Sequence, residues 1–143
     1  MKTTPPKKII PPKVGNHCFG CGADNPSGLK LTFEGDPAED RVWVEFQPLP
    51  FMGGSIGMMH GGFIALLLDE ASSKVLWLQD KQGVTRNLEV SYEKPVPLAH
   101  PIRIEANLTN QEGRKYFIEA QILNSNGDVL AKSSALFLTL TSK

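Results

Sequence analysis

The chain lacks most of what would mark a secreted, membrane-spanning or nucleic-acid-binding protein. It has 2 cysteines in 143 residues, close together as Cys18 and Cys21, so no disulfide framework of a secreted module can be assembled. Neither sign of charge is in excess: 15 Lys and Arg stand against 15 Asp and Glu, which leaves no broad basic footprint for nucleic acid. The opening residues carry Lys2, Pro5, Pro6, Lys7 and Lys8 where a secretory leader would have an apolar core. The one long apolar stretch has Asp69, Glu70 and Lys74 at its middle, which argues against a membrane span. Imidazole is scarce, with His17, His60 and His100 only. No second cysteine pair exists to complete a four-ligand zinc site. No metal and no cofactor are therefore expected, and a cytoplasmic location is.

What is present reads as one domain. A chain of 143 residues can bury a core without staples. Residues 1–15, with Pro5, Pro6, Pro11 and Pro12 among lysines, are expected to form a flexible arm, and residues 16–143 a single domain. Residues 16–28 hold Cys18-Phe19-Gly20-Cys21-Gly22 and read as a glycine-rich loop with small reduced thiols. Strand patterns follow at 29–33 and 41–46, with Gly35-Asp36-Pro37 as the turn between them. Residues 59–78 are apolar nearly all round and free of Gly and Pro after Gly62, which predicts one buried helix. Four more alternating runs come after it. In the first, Val84, Arg86, Leu88, Val90 and Tyr92 alternate with Thr85, Asn87, Glu89 and Ser91. Asn126-Gly127 is a strong hairpin signal before the last run. Two strands, one helix and four strands predict an α+β domain, a six-stranded antiparallel sheet around one central helix. One helix cannot cover both edges of such a sheet, so pairing of copies through an edge strand is expected.

Met59-His60-Gly61-Gly62 together with Leu68-Asp69-Glu70-Ala71 resembles the central helix of hotdog-fold acyl-CoA thioesterases of the PaaI-like group. The segment from Cys18 to Leu29 and the strand ending at 92–97 resemble the same family, so the likeness runs from about Cys18 to Leu140. It implies a hotdog fold, an acyl-CoA substrate and sites at the interface of a homodimer, which can pair again as a dimer of dimers. It makes Asp69 the general base, or the nucleophile, in thioester hydrolysis. It gives His60 a positioning role, and Thr85 a hydroxyl that steadies the acid or the water. Some members carry Asn or Gln where Gly54 stands here, so that way of orienting water is absent, and Ser55 or Thr85 would have to replace it.

Physical chemistry adds to the resemblance. The N–H groups of Gly61 and Gly62 at a helix start lack intrahelical partners and suit an oxyanion. Asp69 lies roughly 13 Å along the helix from His60 and about half a turn around it. One chain therefore cannot bring both to one substrate, whereas two antiparallel helices can. Gly62, Ala65 and Ser73 share the Asp69 side and form a small-residue groove for the acyl or pantetheine part, with Asn87 beside Thr85 on the neighbouring strand. Arg114, Lys115 and Arg86 are candidates for the CoA phosphates as point charges. A non-catalytic acyl-CoA-binding module and an acyl dehydratase on the same fold are the competing expectations. The dehydratase fits less well, because its histidine is not followed by a Gly-Gly pair.

Overall fold

The computed structural model describes residues 8–140. Strands β1 (Lys8–Ile10), β2 (Phe33–Asp36) and β3 (Arg41–Phe46) come first, followed by a 3-10 turn at Pro50–Met52 and the helix α1 (Gly61–Leu78). Then come β4 (Gly83–Tyr92), β5 (Ile102–Glu112), β6 (Lys115–Leu123) and β7 (Val129–Thr139). All are joined in one antiparallel sheet in the order β1-β2-β3-β5-β6-β7-β4. Among the described residues the sheet therefore has seven strands, not the six expected.

The extra strand lies inside the stretch expected to be an arm. Lys8–Ile10 pairs with β2, Ile10 against Phe33, because Ile10 finds a buried place in the core. Residues 1–7 of that arm lie outside the described residues. The strand expected at 29–33 is mostly irregular, and β2 starts at Phe33. Lys30 takes a left-handed backbone at φ 50°, which breaks the extended run. The turn accordingly falls after Gly35 and Asp36, where the Asp36 carboxylate accepts from the Ala38 N–H at 3.0 Å, rather than on them.

The helix is sheathed by the sheet. Ile64, Leu67, Leu68, Ala71, Val75 and Leu78 recur at spacings of three, four and seven and are buried. They meet Phe33, Val42, Ile104, Ile118, Ile122 and Phe137 from the strands, the inward members of each alternation. Burial of a Leu or Ile side chain is worth about 1.5–3 kcal/mol, so this contact supplies most of the reason the helix forms. His60 is its N-cap, with its backbone in the extended region. The Gln79 N–H closes the other end on the carbonyls of Leu76 and Trp77.

Candidate active site

The helix start is held by two neighbouring segments of chain. The His60 N–H donates to the Met52 carbonyl at 2.8 Å and the Met59 N–H to Val96 at 2.8 Å, which seats the Gly-Gly turn between the preceding loop and the end of β4. His60 Nδ1 accepts from the Gly62 N–H at 2.8 Å. The imidazole is thus a helix cap, and the Gly62 N–H expected to face a substrate already has a partner. The N–H groups of Phe63 and Ile64 both turn back to the His60 carbonyl. That leaves the Gly61 N–H as the free donor of the first turn among the described residues.

Tyr92, which the sequence showed only as the last member of an alternating run, completes this corner. Its hydroxyl donates to the Gly61 carbonyl at 3.0 Å. The Tyr92 ring packs over Gly61, where a Cβ would stand 3.4 Å from it, at ordinary contact distance. Ser55, Met58, Gly61, Ile64, Tyr92 and Val96 line a cleft of about 460 Å³ at this point. Around it the apolar Phe51, Ile56, Met58 and Tyr92 are exposed, Ile56 at 93%. At Gly54 a Cβ would come within 3.1 Å of the His60 Cα, so this position closes on the cap.

Asp69 sits half-buried farther along α1, and Thr85 donates its hydroxyl to Asp69 Oδ1 at 2.7 Å. Burial raises the Asp69 carboxyl above its usual range and the neighbouring Glu70 charge adds to this, while the Thr85 hydroxyl and the Lys74 ammonium oppose it. The Thr85 contact depends on a β-bulge. Thr85 pairs with Phe137 but Asn87 pairs with the next residue, Leu136, so Arg86 is the extra residue. Strict alternation would put Thr85 and Asn87 on one face. The bulge turns Thr85 to the side of the buried Phe137 and leaves Asn87 on the far face of the sheet with Leu136. Only Thr85 reaches Asp69.

The other expected groups fall in several places. Ala65 is half-buried one turn before Asp69, and Ser73 gives its hydroxyl to the Glu70 carbonyl at 2.8 Å, which occupies it within the helix. Arg114 lies beyond the opposite end of α1, in a cleft of about 560 Å³ shared with Asp80, Lys81 and Tyr116. Its Nε donates to the Thr139 carbonyl at 3.0 Å. Lys115 and Arg86 are exposed. The single chain does not bring Arg114 to the helix start.

Glu70 and Lys74 have turned away from Asp69 into the core. Lys74 Nζ is 2.8 Å from Glu70 Oε2, with the lysine side chain wholly buried. The Cys18–Cys21 loop covers this pair. Burial, followed by the hydrogen bond and charge of Glu70, pushes the Cys21 thiol up to about 11.

One long helix sheathed in an antiparallel sheet, with an anchored acid on its flank and a glycine pair at its start, defines a hotdog-fold protein. The chain belongs to the thioesterase superfamily, whose pattern matches residues 56–131. It is 35% identical over 104 residues to acyl-coenzyme A thioesterase THEM4 of Xenopus laevis, covering 72% of this chain and 47% of that one. With acyl-coenzyme A thioesterase THEM5 of Mus musculus it shares 30% identity over 105 residues, covering 73% and 42%. The chain spans about half the length of the curated relatives it matches. Among solved structures, a thioesterase superfamily protein superposes with TM-score 0.75 at 28% identity, over 82% of this chain and 60% of that one. A Bacillus halodurans protein crystallised with CoA does so with TM-score 0.65 at 26% identity, over 72% and 70%.

Proposed function

We propose that this chain hydrolyses an acyl-CoA thioester to a free carboxylic acid and CoA, at sites shared between two copies of the chain. The observation that carries this reading is the half-buried Asp69 anchored by Thr85, roughly 12 Å along the helix from a start with a free Gly61 N–H. Two α1 helices lying antiparallel would set the start of one against Asp69 of the other. The edge of β4, which no other described strand covers, and the exposed apolar residues around the cleft at Gly61 support such an assembly. The names of the relatives and the CoA held by the Bacillus halodurans protein support the substrate class.

In this reading Asp69 takes a proton from water, and the water oxygen attacks the thioester carbonyl. The Gly61 N–H donates to the oxyanion as it forms, a contribution of about 3 kcal/mol for a well-placed donor. His60 holds the first turn in shape through Gly62 and Tyr92 holds it through Gly61. The carbon–sulfur bond then breaks, the acid leaves and the CoA sulfur recovers a proton. Arg114, Lys115 and Arg86 are candidates for the nucleotide phosphates.

Thiol release from a panel of acyl-CoA substrates tests this. Asp69→Asn should lower turnover by about 10²–10⁴-fold, and unchanged hydrolysis would reject the role of Asp69. A single turnover in ¹⁸O-water separates base from nucleophile, since a base sends the label straight into the product acid. No turnover of any thioester by the unaltered chain would favour the binding-module expectation instead.

A further inference from the structure

The loop at Cys18 and Cys21 is not used by the proposed chemistry, and the fold supplies it with a partner that the cysteine spacing does not reveal. Ligand atoms of Cys18, Cys21 and Glu70 all lie within 4.8 Å of one another. Bonds of about 2.0–2.3 Å to one ion, the lengths zinc takes to sulfur and oxygen, close that span with a small inward movement. We propose that Cys18, Cys21 and Glu70 bind a divalent ion of the zinc class, with water at the fourth position on the exposed Cys18 side.

Several features fit such a site. The two oxygens of Glu70 are divided: Oε2 is held by Lys74 at 2.8 Å, and Oε1 faces Cys18 Sγ at 3.9 Å. A carboxylate oriented through one oxygen and free to ligate through the other is how outer partners prepare a ligand. The loop is shaped around it. A Cβ at Gly20 would stand 2.5 Å from Glu70 Oε1, and one at Gly22 would meet the Cys18 N at 2.4 Å. The backbone is fixed on both sides, with the Cys18 N–H on Asn16 Oδ1 at 2.7 Å and the Lys13 N–H on the Cys21 carbonyl at 2.7 Å.

Charge also balances in both states. Without an ion, the Glu70 carboxylate and the Lys74 ammonium offset each other. With it, both thiol protons pass to solvent, and the two thiolates and one carboxylate are offset by the dication and the Lys74 ammonium. The ion would tie the loop to α1. It would thereby hold Phe19, whose ring lies 6.4 Å from Phe51 and 6.3 Å from Phe63, against the first turn of the helix.

The test is a cadmium titration of the reduced, metal-stripped full chain, following the ultraviolet thiolate-to-metal charge-transfer band. Saturation at one equivalent per chain is expected, with a melting temperature that rises with added zinc. Cys18→Ser, at the exposed cysteine, should keep the fold by circular dichroism and lose half the band or more. Glu70→Gln should weaken binding by about tenfold or more. Three results would overturn the proposal. One is no band at stoichiometric metal, which makes Lys74 the only cation of the cluster. Another is a band indifferent to Cys18→Ser. The third is a Cys18–Cys21 disulfide that takes up no metal after reduction.

Discussion

Asp69 and Glu70 are adjacent carboxylates on one helix, and their neighbours separate their fates. Asp69 meets one hydroxyl at a half-open flank, which suits a group that must exchange a proton. Glu70 meets an ammonium in the core, which suits a structural charge. About 100° of helix rotation parts the two, which is why they meet such different surroundings. The depth of Lys74 could not be foreseen, since an i,i+4 pair usually lies on a solvated face. Removing one partner of a buried pair leaves the other charge uncompensated. Lys74→Met should therefore destabilise the chain by about 3–5 kcal/mol in chemical denaturation. The double change Glu70→Gln with Lys74→Met should recover much of that loss, and a single variant as stable as the parent would contradict the reading.

Among the elements, β4 departs most from its sequence pattern. Alternation made Thr85 and Asn87 companions, and one bulged residue parts them. Nothing in the pattern of residues 84–92 signals this bulge, because Arg86 fits either face as a long exposed side chain. The bulge arises where β4 must pair with β7 and also set Thr85 over the helix. Deleting Arg86 should restore strict pairing, turn Thr85 outward and reduce activity to the level of Thr85→Ala or below. Loss of that one hydrogen bond to a charged group is worth about 1.5–3 kcal/mol, or roughly tenfold to a hundredfold in rate at 1.4 kcal/mol per decade. A deletion variant more active than Thr85→Ala would show that the bulge does not serve the acid. The helix, in contrast, was legible almost to its ends, with Gly61 as its first residue and His60 as its cap. Its apolar spacing and its Gly-Gly start carry that information locally.

At the scale of the molecule, β4 stands at the edge of the sheet, bonded to β7 and, among the described residues, to no other strand. An open edge of 10 residues with Val84 and Tyr92 more than half exposed is the kind of surface that extended sheets cover by pairing. The shared site proposed above would need that pairing. Light scattering should find at least a dimer at assay concentration, and Val84→Asp on β4 should shift it toward monomer with a parallel loss of thioester hydrolysis. A monomer that keeps full activity would dismiss the shared site. No helix of the described residues is long and apolar enough to cross a membrane, in keeping with the charges at the middle of α1.

The sequence by itself determined the helix, the antiparallel strands and the position of the acid relative to the helix start. Periodicity and glycine placement are local, and a helix converts residue number directly into angle and distance. Tertiary structure decided the face on which Thr85 lies, the placing of Ile10 in the added strand β1 and the meeting of Glu70 with two cysteines. Each of those depends on chain segments far apart in number, brought together only when the sheet closes round the helix.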